Sequence, residues 1–239
     1  MGNAATVGEL RNLAKKYAPT VLCVLETQIH KSRVELLKGT LGYDNSFAVS
    51  SSGRSGGLGI FWNNKTRVEI LPYSQYHIDA IVTEYGKEPW RLTCVYGDAQ
   101  TAERHKTWDM LKFIKASSHL PWMCMGDFNE VLLREEHQGV QERSHAQIAG
   151  FHEVVDVCGF HDLGYEGRSW TFEKRVAGGS YCRVRLDRAR PRRIGARASL
   201  RQGFHILLEQ RRTTAQYCSD GSRMREIGEG KRRRFSGTR

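Results

Sequence analysis

Apolar residues recur along the first 40 positions with a helical spacing, then a strand-like run, then a helical spacing again. Val7, Leu10, Leu13, Ala14 and Tyr17 fall three or four apart, with Arg11, Lys15 and Lys16 between them. That is the pattern of a helix over 4–17 with one apolar face. Pro19 ends it, and the apolar run 21–25 after Thr20 predicts a buried strand over 20–25 closing on Glu26, Thr27 and Gln28. Val34, Leu36, Leu37 and Leu41 predict a second helix over 32–41. From 46 to 96 the period shortens. Segments 46–49, 57–62, 68–72, 77–84 and 90–96 are short, β-rich and separated by polar or glycine-containing breaks, which predicts adjacent antiparallel strands. Residues 101–117 return to helical spacing, with Trp108, Leu111 and Ile114 on one face. Arg104 stands four before Trp108, a distance at which a guanidinium can stack on an indole. A further helix over 146–158 carries Ile148, Phe151, Val154 and Val155, and short strands are expected at 160–163, 169–172 and 182–187. No internal repeat is evident.

Between the last two helices lies Leu-Pro-Trp-Met-Cys-Met-Gly-Asp-Phe-Asn-Glu, residues 120–130. A short apolar run bounded by turn formers reads as a buried strand, here with Asp127 and Asn129 at its carboxyl end. Two readings of that pair fit. Residues i and i+2 of an extended segment face the same way, so a carboxylate and a carboxamide there can orient a phosphate and a divalent metal. Gly, Asp and Asn also favour turns, and an Asx-type turn accounts for the same spacing. The glycine-rich stretch 52–59 precedes a strand and lacks the Gly-Lys-Ser/Thr ending of a phosphate loop. It reads as a turn permitting close backbone approach rather than a nucleotide site.

The net charge of +11 changes the picture only for the tail. From Arg188 onward there are 14 Arg and one Lys against Glu209, Asp220, Glu226 and Glu229, and the preceding residues balance to zero. Six scattered cysteines without a CxxC pair argue against zinc or a disulfide framework and fit a reducing, intracellular compartment, nucleus or cytoplasm. No window reaches the roughly 20 apolar residues of a membrane span, and no secretory leader pattern is present.

Acidic and amide groups at strand ends of a mixed α/β chain are what a site at a sheet edge requires. The segments VLCVLETQ, SGGLGIFW, VYGDAQTAERHKTW, PWMCMGDFNEVL, GFHDLGYEGRSWTF and RVRLDR resemble, in order, the endonuclease/exonuclease/phosphatase family of DNase I-like and AP-endonuclease-like enzymes. The chain looks most like the endonuclease region of a plant LINE-type retrotransposon polyprotein, over about residues 3–189. The resemblance implies a DNase I-like α/β fold, a four-layer sandwich of two mixed β-sheets flanked by helices. It implies Glu26 as the acidic metal ligand and Tyr96 as a phosphate contact. Asp127 would orient or deprotonate water, Asn129 would hold the phosphate, and Asp187 would support a catalytic histidine. Mg²⁺, or Mn²⁺, would be the cofactor and DNA the substrate, with no membrane and no obligate protein partner.

Two family features have no counterpart here. A Trp-Asn strand expected before Met1 and a Ser-Asp-His strand expected after Arg188 are missing, so the sandwich is expected to be incomplete at both termini. Ser219-Asp220-Gly221 places Gly where the family has His, and His205 stands isolated. The expectation is therefore a domain at 1–189 with little nicking activity, followed by a disordered tail at 190–239. That tail reads either as a basic nucleic-acid-binding arm, with Lys231-Arg232-Arg233-Arg234 resembling a nuclear-localisation patch, or as coding sequence read in a shifted frame. The first option is also the alternative function: a non-enzymatic binding protein acting through its tail.

Overall fold

The computed structural model describes residues 3–53, 55–138 and 143–162, together with the strand backbones at 172–175, 181–184, 189–191, 204–208 and 215–218. Helix α1 (Ala4–Tyr17) starts where the Asn3 side chain accepts the Thr6 N–H at 2.8 Å, and ends on Ala18 in the left-handed region. The expected single helix over 32–41 is two short ones, α2 (Lys31–Glu35) and α3 (Leu37–Leu41). Leu36 at the break points outward and is 78% exposed. Between α1 and α2 runs strand β1 (Val21–Leu25).

β2 (Asn45–Ser52) and β3 (Ser55–Trp62) form an antiparallel hairpin, and β3 also pairs antiparallel with β1. The chain then crosses to a second sheet. β4 (Thr66–Ile70), β5 (His77–Glu84) and β6 (Trp90–Tyr96) are successive antiparallel neighbours. The run of strands from 46 to 96 is thus divided between two sheets, a break that local pattern does not mark. After α4 (Arg104–Ala116), β7 (Trp122–Asp127) returns parallel to β6. Then come β8 (His137–Gln138), α5 (His145–Cys158), β9 (Phe160–Asp162), β10 (Phe172–Arg175), β11 (Tyr181–Val184) and β12 (Ala189–Pro191). β12 joins the second sheet between β7 and β9, while β10, β11 and β8 make a small sheet of their own.

The tail was expected to be unstructured, yet β12 reaches into it and two further segments are strands. β13 (Phe204–Leu208) pairs parallel with β1, and β14 (Ala215–Cys218) pairs antiparallel with β13. Phe-His-Ile-Leu-Leu is the most apolar stretch of the tail, and the otherwise unpaired edge of an apolar strand offers it a full ladder.

Strand alternation builds four layers from this topology. Val21, Cys23 and Leu25 of β1, with Leu58 and Ile60 of the adjacent β3, face Ile78 and Val82 of β5, Leu92 and Cys94 of β6, and Met123 and Met125 of β7 between the sheets. The intervening Leu22 and Val24 point the other way, onto Leu10, Ala14, Val34 and Leu41 of the helices. Val95 and Cys124 likewise meet Leu111 and Ile114 of α4 and Phe151 and Val154 of α5. Both faces of each central strand are covered, so β1, β6 and β7 are buried at every position. The inward turn of Cys23 and Cys94 brings their sulfurs together as a disulfide between the sheets. This pairing departs from the expectation that the scattered cysteines form no disulfide, because the two residues lie 71 apart in sequence and only the fold brings them together.

One charged group is built into the second sheet. Arg91 on β6 lies 2.6 Å from Asp79 Oδ2 on β5, and its Nη1 donates to the Ile114 carbonyl at the end of α4 at 2.9 Å. Thr93 donates to Asp79 Oδ1 at 2.7 Å and accepts from the Trp122 indole at 2.8 Å. The network ties β5, β6, β7 and α4 together, and Arg91 and Asp79 are buried. Removing one partner of such a pair strands the other charge. We expect Asp79→Ala to lower the unfolding free energy by about 3–5 kcal/mol. Replacing both groups together, Asp79→Leu with Arg91→Met, should recover more than half of that loss in urea titrations.

Candidate functional site

The site assembles where β1, β6 and β7 end together. β6 and β7 run parallel with Tyr96 opposite Asp127 in the ladder, so their last residues emerge side by side. Gly126 makes the exit possible. Its φ is +147°, and a Cβ there would collide with the Val95 backbone of β6. Asp127 keeps the inward parity of Met123 and Met125 and is 7% exposed.

Glu26 reaches the same place through a kink. Alternation along β1 would send the residue after Leu25 to the helix side. Glu26 instead has φ +51°, and Gln28 has φ +55°, a left-handed conformation that non-glycine residues seldom adopt. The Thr27 and Gln28 N–H groups donate to the Gly57 and Gly56 carbonyls, both at 3.1 Å. A Cβ on Gly57 would meet Thr27 Oγ1, so the glycine-rich segment provides close backbone approach, as expected. So turned, Glu26 Oε1 accepts a 2.6 Å hydrogen bond from the Tyr96 hydroxyl. Burial, reinforced by this bond, holds the Tyr96 hydroxyl well above its ordinary pKa. Tyr96 is therefore a donor, not a base.

Asn129 is the third left-handed residue at this edge, with φ +54°. Its N–H donates to Asp127 Oδ1 at 2.8 Å, and its Nδ2 donates to the Gly97 carbonyl at 2.5 Å. The Gly97 N–H donates in turn to the Asp127 carbonyl at 2.7 Å. The segment is an Asx turn rather than a continued extended strand, and the turn places carboxylate and amide at one strand end. Asp187 lies outside the described residues, as does Ser219-Asp220.

Behind these groups lies a cluster that the sequence reading passed over. Arg104 does not stack on Trp108; Trp108 lies on Phe151 with ring centroids 4.8 Å apart. Arg104 turns inward, where Nη1 donates to Glu130 Oε2 at 2.6 Å and Nη2 to the Ala99 carbonyl at 3.2 Å. Arg143 lies 3.4 Å from the other Glu130 oxygen and 3.5 Å from the Asn129 carbonyl. At the rim, a hydrogen bond to Asp98 raises the pKa of Tyr76. Glu130, set directly before the apolar Val131-Leu132-Leu133, was the available signal, since a buried charge needs a partner; Arg104, among Glu103, His105 and Lys106, carried none.

Burial raises the Asp127 carboxyl to about 6, with the Glu26 charge adding to it and the Asn129 N–H and the Arg104 and Arg143 charges opposing. Two carboxylates within electrostatic reach suit a hard divalent cation, which prefers oxygen ligands. Among the described residues no three of His, Cys, Asp and Glu gather as a metal-binding group.

The architecture is shared with known proteins. The family model described as "Endonuclease/Exonuclease/phosphatase family" matches residues 2–205. The chain belongs to this family. It is a domain of nuclease/phosphodiesterase type, and enzymes of the family usually use divalent metals. Among solved structures, an AP endonuclease from Archaeoglobus fulgidus matches with TM-score 0.59 and 14% identity over 77% of this chain and 80% of that one. The endonuclease domain of TRAS1, a telomere-specific non-LTR retrotransposon, matches with TM-score 0.50 and 12% identity over 72% and 85%. These likenesses show the DNase I-like α/β fold. No curated protein sequence matches the chain. Among the described residues no helix is long and apolar enough to cross a membrane.

The raised Asp127 pKa has a stability consequence. A carboxyl near 3.9 when unfolded and about 6 when folded favours folding in its protonated form. Its contribution is fully present below about pH 4 and is lost as pH rises through 6. In metal-free buffer, Asp127→Asn should therefore leave Tm unchanged near pH 4 and raise it by several degrees at pH 8. Equal shifts at both pH values would contradict this.

Proposed function

We propose that the domain is a Mg²⁺-dependent endonuclease that nicks DNA, of the kind that cleaves a retrotransposon's target. The observation that carries this reading is the meeting of Glu26, Tyr96, Asp127 and Asn129 at the shared end of β1, β6 and β7. Phosphodiester hydrolysis needs a positioned water, a base and cationic stabilisation of charge on the phosphate oxygens. Asp127, with a pKa of about 6, is ionised at neutral pH yet basic enough to take a proton from water. Tyr96 holds its proton and donates it in a hydrogen bond, fixing Glu26. Asn129 spends one amide N–H on Gly97, and the second can donate to a phosphate oxygen. Glu26, with Asp127 beside it, would hold the divalent ion. When bound, that ion supplies the positive charge that phosphate chemistry requires.

With two acidic ligands among the described residues, metal binding is expected to be weak and turnover slow. We expect slow nicking of supercoiled plasmid that needs millimolar Mg²⁺ or Mn²⁺, is lost in Asp127→Ala and falls roughly 10²–10³-fold in Asn129→Ala. Nicking equal to that of Asp127→Ala at every Mg²⁺ and Mn²⁺ concentration would overturn the assignment. Salt-sensitive DNA binding without cleavage, surviving deletion of residues 1–187, would point instead to a binding protein acting through its tail.

A further inference from the structure

Two polar loops meet behind the site, and one side chain joins them. Arg104 is the first residue of α4, at a position where the Thr101–Glu103 turn runs into the helix. A helix N-terminus ordinarily favours negative charge, so a buried arginine there is held by something other than helix preference. Its guanidinium donates in three directions. Nη1 reaches Glu130 Oε2 at 2.6 Å, Nε reaches the Asp98 carbonyl at 3.3 Å, and Nη2 reaches the Ala99 carbonyl at 3.2 Å. Asp98 and Ala99 follow Tyr96-Gly97 out of β6, while Glu130 follows Asp127-Phe128-Asn129 out of β7. The Arg104 and Glu130 side chains are 5% and 1% exposed, so water does not substitute for either partner.

We propose that Arg104 is a positioning residue for the site described above, clamping the β6 exit to the β7 exit through Glu130. The geometry supplies the reason. Asn129 sits in the left-handed region, a conformation that persists only where its surroundings fix it. Two of the bonds that fix it, from Asn129 Nδ2 to the Gly97 carbonyl and from Gly97 N–H to the Asp127 carbonyl, cross between the same two exits. Arg104 closes this small ring from below. Glu130 is the matching half: Oε2 takes Arg104, and Oε1 takes the Val131 N–H at 3.2 Å and faces Arg143. Lysine at 104 would keep the charge but lose the planar fork that serves three acceptors at once. The role rests on the nuclease reading of the site, but its test does not.

The test is hydrogen exchange in the full chain without metal or DNA. In Arg104→Gln, the amides of Gly97 and Asn129 should exchange at least about tenfold faster, the loss expected for a charge-assisted clamp. Amides of β1 and β3 should be unchanged. Arg104→Lys should restore part of the protection, and Glu130→Gln should reproduce the Arg104→Gln pattern if that variant does not fold. Uniform acceleration across β1, β3 and β5 would show a merely structural role and overturn the proposal, as would unchanged exchange at Gly97 and Asn129. Failure here leaves the nuclease reading standing, because nicking that depends on Asp127 decides that question separately.

Discussion

Parallel pairing of β6 with β7 is the constraint from which the site follows. Two parallel strands start at one edge of the sheet and finish at the other, about 4.8 Å apart. Whatever ends one strand must therefore stand beside whatever ends its neighbour, as Tyr96 stands beside Asp127. Helices α4 and α5 cover one face and the opposite sheet covers the other. Inside the layers only apolar side chains and fully paired charges are tolerated, so polar chemistry is driven to the strand ends. β1, in the facing sheet, finishes at the same edge and brings Glu26 to Tyr96.

The molecule treats its buried charges in two ways. Arg91 and Asp79 saturate each other, with Thr93, Trp122 and the end of α4 taking the remaining hydrogen-bonding groups. Such a network is rigid and inert. Asp127 is buried among fewer partners, faces the charge of Glu26 and keeps a raised pKa. Left-handed backbone at Glu26, Gln28 and Asn129 clusters at the same edge. Strain and incomplete charge pairing are concentrated where reactivity is proposed, and the sandwich behind supplies the stability that tolerates them.

Identity of 12–14% with solved relatives is enough for one fold because the layers depend on alternation rather than on particular residues. Val21, Cys23 and Leu25 need only be apolar and inward, and Leu22 and Val24 apolar and outward. The positions that tolerate little change are few. Gly126 and Gly57 are among them, since a side chain at either would strike neighbouring backbone or a packed threonine.

Periodicity alone placed α1, β1, β5, β6, α4, β7 and α5, because each has a covered face that writes itself as spaced apolar residues. Motif segments pointed to Glu26, Tyr96, Asp127 and Asn129 because polar residues closing apolar runs mark strand ends. Sequence could not show that β3 and β4 belong to different sheets, that Cys23 meets Cys94, or that a segment of the Arg-rich tail lies against β1. Those are matters of long-range pairing, on which local patterns are silent. Nor could it show that Glu26 turns inward, since that depends on a single left-handed φ held by carbonyls from another strand. The partnership of Arg104 with Glu130 was equally hidden. Helical spacing suggested Trp108 as the arginine's neighbour, but a buried cation gains more from a buried carboxylate than from a ring. Only the tertiary structure brings that carboxylate, 26 residues away, within reach.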